Sequence, residues 1–347
     1  MRLQNGRLCP GEDSNAFEMS QPSKGTHQML LPMLSLAPME GITDYVFRTV
    51  HAECFGALDR YYTPFLTPPR VGRPFSERYR AEIDPEINRG LDVVPQLLTK
   101  NADDFVWAAR LLAEMGYREV NLNLGCPSRT VVAKGKGSGF LRNLEDLEAF
   151  LNDMCDRSPI PVSVKTRLGI QDDGEYEKIL DLYCTLPLAE LIVHPRVQKD
   201  GYRGKPRWEP YGKTLERAPF PVAYNGDIFA PDDLEALCEA YPQTRHVMLG
   251  RGILANPALA RMMGGGKPAT IDELRRFHDR LYGENKALIG DKAAYRMKEW
   301  WACARFSFAD PGSVHKAVRT TRNAAEYEAA VERIFSEEEL ATEAVFR

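Results

Sequence analysis

Between residues 33 and 249 the chain alternates short apolar runs with amphipathic helical stretches, and this rhythm narrows the possible folds more than any other feature. The runs cover 33–38, 58–63, 92–98, 119–124, 161–166, 189–194, 221–225 and 245–249. Residues 102–115 show the intervening pattern: Asn101 as a cap, Asp104 in the first turn, Phe105, Ala109, Leu112 and Met115 on one face, and a stop at Gly116. Residues 144–155 and 231–240 repeat it. Strands that alternate with helices pair in parallel, and eight such units over about 250 residues predict an α/β fold, the (β/α)8 TIM barrel. The segment 64–91 is rich in Pro and Arg with little helical period, and is expected to be a long loop on the active face.

Residues 1–28 are polar and lack the apolar centre of a signal peptide, so they are expected to be a disordered tail or an over-extended start ahead of Met29. At the other end, Met262-Met263-Gly264-Gly265-Gly266-Lys267-Pro268 reads as a linker, followed by helical periodicity over 272–309 and 314–340. The expected organisation is a tail (1–28), a catalytic barrel (29–263) and a small all-α helical bundle (264–347). A hydrophobic content of 44% suits a sizeable core, and no apolar segment approaches the length of a membrane span. The seven cysteines (9, 54, 126, 155, 184, 238, 303) are scattered without a Cys-x-x-Cys pair, which predicts reduced thiols in a cytoplasmic protein and no metal site. The net charge of −4 confines any polyanion-binding surface to local patches.

In this fold, polar residues at the carboxyl ends of strands face the active site. The first run ends Ala37-Pro38-Met39-Glu40-Gly41, the third carries Gln96, and the fourth supplies Asn123 and Cys126. The fifth ends Lys165-Thr166-Arg167, the sixth His194-Pro195-Arg196, the seventh Asn225-Gly226-Asp227 and the eighth Gly250-Arg251-Gly252. Taken singly each has a plain structural explanation: a lone His194 is more often a satisfied core histidine, a lone Lys165 a solvated strand end. Such groups at seven strand ends of eight point to a site. A short helix after Gly250-Arg251-Gly252, with Asn225-Gly226 beside it, is where barrels hold phosphate on main-chain N–H groups. A phosphate-bearing cofactor across the barrel mouth is the expectation.

Residues 119–139 concentrate the chemistry. Val120, Leu122 and Leu124 face one way and Asn121 and Asn123 the other; Gly125 breaks the strand, and Cys126-Pro127 stands just past its end. Arg129, Lys134 and Lys136 follow among glycines 135, 137 and 139. A thiol, an amide and several cations at one strand end suit an anionic substrate; a buried structural cysteine beside a glycine-rich turn is the plainer alternative. Gly135-x-Gly137-x-Gly139 departs from the spacing of a dinucleotide fingerprint, and Gly212-Lys213-Thr214 lacks the P-loop glycine at 207, where Arg207 stands.

Six ordered motifs closely resemble the tRNA-dihydrouridine synthases: Ala37-Pro38-Met39-Glu40-Gly41-Ile42-Thr43-Asp44, Asn121-Leu122-Asn123-Leu124-Gly125-Cys126-Pro127-Ser128, Val164-Lys165-Thr166-Arg167, His194-Pro195-Arg196 with Tyr202 downstream, Asn225-Gly226-Asp227-Ile228, and Gly250-Arg251-Gly252. The resemblance covers about residues 33–260 and, more weakly, the helical part. It implies FMN at the barrel mouth and NADPH as reductant. It implies that Pro38, Met39, Gln96, Lys165 and His194 surround the flavin ring and ribityl chain, with Glu40 in the same cofactor-binding set. Asn225, Gly226, Asp227, Gly250 and Arg251 are implied near the phosphate end, and Asn123 and Arg167 as contacts to uridine and tRNA. Arg296-Met297-Lys298-Glu299-Trp300 resembles an Arg-x-Lys-x-Trp stretch of the family's tRNA-binding helical domain, which implies tRNA contacts from Arg296 and Lys298. One departure stands out: family members commonly carry an acidic residue where Thr63-Pro64-Phe65 has Pro64, so the uridine-side contact of the second strand is not carried over.

The charge distribution suits a tRNA partner. Residues 275–322 hold eleven Lys/Arg against five Asp/Glu, whereas 323–347 hold two against seven. A basic run from Arg196 to Arg207 (five Lys/Arg, one Asp) would line the barrel rim, with Arg196 as a tRNA contact. Of Trp300 and Trp301, at least one is expected to pack rather than stack on bases. Reducing the C5–C6 bond of a D-loop uridine to 5,6-dihydrouridine needs a hydride at C6 and a proton at C5. The resemblance implies reduced FMN for the first; Cys126 suits the second, since a thiol with a pKa near ~8.5 is protonated at neutral pH. Lys165 suits negative charge developing on the flavin, and the base must leave the folded RNA to be reached. A monomer is expected. The alternative is an FMN-dependent barrel oxidoreductase acting on a free pyrimidine or other small metabolite, which needs neither basic rim nor basic appendage. A non-catalytic RNA-binding protein would not need Cys126, Lys165, His194 and Arg251 together.

Overall fold

A computed structural model of the protein describes residues 31–341; the tail expected at 1–28 lies outside the described residues. The strands are β1 (Met33–Leu36), β2 (Arg60–Tyr62), β3 (Val93–Val94), β4 (Gln96–Leu97), β5 (Val120–Leu124), β6 (Val162–Arg167), β7 (Glu190–His194), β8 (Val222–Tyr224) and β9 (His246–Leu249). All pair in parallel, in the order β3-β2-β1-β9-β8-β7-β6-β5-β4. The two ends of that order are joined in the chain by Pro95 alone.

The run expected as a third strand over 92–98 is therefore one strand in two pieces. Pro95 has no N–H for a ladder, so β3 pairs with β2 and β4 pairs with β5, and the ring closes through the proline. The Pro95 carbonyl still accepts from Asn121 N–H (2.9 Å), while Leu66 N–H reaches the Gln96 carbonyl (2.7 Å) and Leu98 N–H the Leu66 carbonyl (2.9 Å). The eight-unit barrel read from the rhythm is the observed fold.

Helices follow the strands: α1 (Tyr45–Cys54), α2 (Glu77–Ile83), α3 (Ala102–Glu114), α4 (Arg129–Val132), α5 (Leu144–Arg157), α6 (Tyr176–Cys184), α7 (Trp208–Arg217), α8 (Pro231–Ala240), α9 (Arg251–Ala255) and α10 (Leu259–Met263). The cap of α3 is as expected, with Asn101 Oδ1 accepting from Asp104 N–H at 2.8 Å. The segment 64–91 differs from the expected loop in holding α2. Two turns of helix are not stable alone. Tertiary contact supplies what periodicity lacks: Arg48 of α1, fully buried, donates to Glu82 Oε2 (2.8 Å), the Glu82 carbonyl (3.0 Å) and Asn88 Oδ1 (3.1 Å).

Period-2 alternation sorts the strand residues. Leucines and valines such as Leu122, Leu124 and Val164 face the helices, while the inside receives Gln96, Asn121, Asn123, Ser163, Lys165 and Glu190 on neighbouring strands in register. A small apolar layer of Ala37, Tyr62, Val94, Ile192, Ala223 and Met248 completes the interior.

The C-terminal helices are α11 (Ile271–Ile289), α12 (Ala293–Ala304), α13 (Pro311–Arg319) and α14 (Ala324–Glu337). Thr270 and Glu273 form a capping box at α11, and Arg261 pairs with Glu273 (2.8 Å) across the linker. Trp300 and Trp301 are both buried, so both pack in the bundle. Phe47 of α1 meets Phe277 of α11 edge-on at 5.7 Å, seating the bundle on the barrel. No helix of the described residues is long and apolar enough to cross a membrane.

Candidate active site

A cleft of about 470 Å³ opens at the carboxyl ends of the strands, within the size range of small-molecule and cofactor sites. Its walls bring together Pro38, Met39 and Glu40 after β1, Asn123 and Cys126 from β5 and its loop, Lys165 and Arg167 from β6, and His194 from β7. Asn225, Gly226 and Asp227 after β8, with Gly250 and Arg251 after β9, complete the far end. Four predicted site residues are not among the lining residues. Gln96 is fully buried beneath Asn123; Arg196 lies under the cleft; Arg296 and Lys298 sit in the helical bundle.

The loop after β5 is built to present Cys126. Asn123 Oδ1 accepts from the N–H groups of Gly125 (3.1 Å) and Cys126 (2.9 Å), and the Cys126 carbonyl takes the Ser138 hydroxyl (2.9 Å) and N–H (3.1 Å). Gly137 has φ +56°, and a Cβ there would lie 2.8 Å from the Cys126 carbonyl oxygen. Gly137 thus serves close approach to Cys126, and Gly139 close approach to the Val132 main chain, where a Cβ would lie 2.9 Å from the Val132 carbonyl oxygen. Burial pushes the Cys126 thiol up, against the opposing pull of a Ser128 N–H and the Arg167 and Lys165 cations. The thiol is protonated at neutral pH.

Lys165 is part-buried, and burial with Arg167 nearby brings its ammonium down to about 7. Burial, then Arg167, Lys165, Arg196 and Arg251, hold His194 well below the usual range, so its imidazole is neutral. Arg196 Nη1 lies 3.3 Å from His194 Nε2; a guanidinium only donates, so Nε2 accepts and the ring proton is on Nδ1. Arg167 spends its guanidinium on main-chain carbonyls of Gly125 (2.9 Å), Val197 (3.1 Å) and Gly201 (2.8 Å), which joins the β5, β6 and β7 loops.

At the far end Asp227 is gripped by Arg251 (2.6 Å) and by Arg196, which is 1% exposed and also donates to the Gly204 carbonyl. Arg196 is therefore a buried strut, not the rim residue expected. Arg251 lies over the rings of Tyr202 (4.6 Å) and Phe229 (5.5 Å). Backbone approach is close: a Cβ on Gly226 would fall 2.0 Å from the Tyr224 hydroxyl, and one on Gly252 2.2 Å from the Ile228 carbonyl oxygen. Phe229, Leu254 and Cys303 also line the cleft. Cys303 arrives from α12 of the bundle, and nothing in its helical sequence context signals that.

A family model described as dihydrouridine synthase (Dus) matches residues 35–287. This chain is a member of the dihydrouridine synthase family. Three relatives named tRNA-dihydrouridine(16) synthase are similar along nearly their whole length. The one from Cupriavidus necator is 29% identical, over 86% of this chain and 96% of its own. Those from Pseudomonas putida and Escherichia coli are each 30% identical, covering 80% and 86% of this chain and 89% and 97% of theirs. The dihydrouridine synthases are FMN-dependent oxidoreductases. The residues of this chain fit that cofactor. Arg251 and the side-chain-free backbone of Gly226 and Gly250 line the far end and suit a phosphate, and the Met39, Lys165 and His194 stretch of the cleft joins an apolar wall to donors.

Proposed function

We propose that this chain reduces the C5–C6 bond of a D-loop uridine in tRNA, with FMN as bound cofactor, NADPH as reductant and Cys126 as proton donor. The observation that carries the reading is the place of Cys126: its thiol, pushed up by burial, shares one cleft with Lys165 and His194. When bound, FMN supplies the hydride that the uridine receives at C6. Cys126 gives its proton to C5, and the thiolate left behind is eased by Arg167 and Lys165 until solvent restores the proton. Pro38, Met39, Glu40, Lys165 and His194 would hold the ring and ribityl part. Asn225, Gly226, Asp227, Gly250 and Arg251 would hold the phosphate end. Gln96 would act from below, through Asn123.

Asn123 and Arg167 stand at the wall where the flipped base would enter. Phosphates of the tRNA would meet exposed cations of the rim. Arg129 and Lys134 beside Cys126, with Lys199, Arg203 and Lys205 after β7, form no ion pair among the described residues. The relatives' names make position 16 the first uridine to examine. The test is incubation of the FMN-loaded protein with NADPH and an unmodified tRNA transcript, with dihydrouridine mapped by mass spectrometry. Dihydrouridine in the D-loop supports the proposal. Reduction of free uridine with the tRNA untouched would replace it by the small-metabolite alternative.

A further inference from the structure

Beneath the cleft, inward side chains of neighbouring strands form one chain of hydrogen bonds in which every link points the same way. The N–H groups of Gly125 and Cys126 donate to Asn123 Oδ1. Asn123 Nδ2 donates to Gln96 Oε1 (2.7 Å), Gln96 Nε2 to Asn121 Oδ1 (2.7 Å), and Asn121 Nδ2 to Ser163 Oγ (2.8 Å). Ser163 then has its own proton to place. Glu119, immediately before β5, is held through Oε2 by Arg60 at 3.0 Å, and its buried Oε1 has no hydrogen-bond partner. Burial raises the Glu119 carboxyl above its usual range, against the opposing pull of the Ser163 hydroxyl and the Arg60 guanidinium.

An amide side chain has one accepting and one donating end. Turning any one of Asn123, Gln96 or Asn121 would set oxygen against oxygen on one side and N–H against N–H on the other. The three orientations are therefore set together, and the top chooses the sense because its main-chain N–H groups only donate, while at the foot the unpartnered Glu119 oxygen is the acceptor open to the Ser163 hydroxyl. All four intermediate residues are buried, Gln96, Asn121 and Ser163 completely, so water does not substitute for a broken link.

We propose that Gln96, Asn121, Ser163 and Glu119 are positioning residues, which fix the Asn123 amide and through it the main chain that presents Cys126. The sense of the chain reaches the cleft from the opposite end of the barrel interior. Ser163 is not among the residues that line the cleft and is bonded to Asn121, two links away from Asn123, which makes it the place to cut.

The activity arm of the test rests on the proposed proton donor; the first arm does not. Ser163→Ala in the FMN-loaded protein should speed amide hydrogen exchange at Gly125 and Cys126 by about tenfold, the worth of one hydrogen bond, with exchange at Leu191 and Ala223 unchanged. Alkylation of Cys126 by iodoacetamide should change rate and pH midpoint in the same variant. Oxidation of the reduced enzyme by unmodified tRNA should slow by about tenfold, at unaltered FMN content and tRNA affinity. Glu119→Gln, which offers the foot of the chain a donor as well as an acceptor, should show the same changes in smaller degree and stands in if Ser163→Ala does not fold. Exchange and alkylation like wild type in a folded variant, or exchange raised equally throughout the barrel, would overturn the proposal. A wild-type enzyme inert towards tRNA would sink the functional reading alone, since the exchange arm decides the positioning role.

Discussion

Arg296 of the helical bundle forms an ion pair with Asp44, the residue that caps the first barrel helix. One carboxylate serves both: Oδ1 accepts from Phe47 N–H at 3.1 Å and Oδ2 takes the guanidinium. Lys298 is likewise engaged, its ammonium donating to the carbonyls of Thr321 (2.6 Å) and Arg319 (3.4 Å). The two residues singled out by resemblance as tRNA contacts make bonds within the protein and stay part-exposed. Arg296→Ala leaves the Asp44 carboxylate, 8% exposed, without its cation. It should cost about 1–3 kcal/mol, read from urea unfolding. Unfolding like wild type would show that the pair is not formed in solution.

Phosphate contacts are predicted also for the exposed Arg129 and Lys134, which follow Cys126 in the chain. Arg129→Ala with Lys134→Ala should lower the slope of log Kd against log salt by about 0.7–0.9 for each phosphate no longer neutralised. FMN content should not move. A slope equal to wild type would place the tRNA elsewhere on the surface.

Lys165 makes stability depend on pH in a stated direction. Its folded-state value of about 7 lies below the ordinary lysine value of about 10.4, so between those limits the unfolded chain binds more protons. Stability then rises with pH across that window, by up to ~1.4 kcal/mol per unit, and below pH 7 the contribution is constant because both states are charged. FMN-free wild type should gain on Lys165→Met as pH goes from 7 to 9 in urea titrations. Parallel curves would mean that the lysine is solvated.

The phosphate end is predicted to tolerate no side chain at Gly252. Alanine there must displace the Ile228 carbonyl or the start of α9. Gly252→Ala should lose most of its FMN, measured from the ratio of flavin to protein absorbance, while the barrel still folds. Full flavin content would place the phosphate away from this turn.

The strand ends were legible because a parallel barrel converts sequence order directly into position around one mouth. Cys126, Lys165, His194 and Arg251 are far apart in the chain, and the fold leaves them one place to meet. Contacts made across the fold were not legible. Arg196 sits in a basic run that reads as a surface, yet Asp227 and Gly204 draw it into the interior. Helix α2 has no pattern of its own and exists because Arg48 reaches it. Gln96 is at a strand end by position, but Asn121 and Asn123 on the next strand take both ends of its amide. Cys303 belongs to a helix whose period says only that it is half-buried.

The central claim is that Cys126 is the acid. In Cys126→Ala, FMN content, reduction of the flavin by NADPH and tRNA affinity should be those of wild type. Oxidation of the pre-reduced enzyme by unmodified tRNA, followed in a single turnover, should fall by about 10²–10⁴-fold, the usual contribution of a positioned acid. Serine should recover little, because its hydroxyl is a far weaker acid than the thiol. A single-turnover rate near wild type in the alanine variant would contradict the account and leave Cys126 as a packing residue.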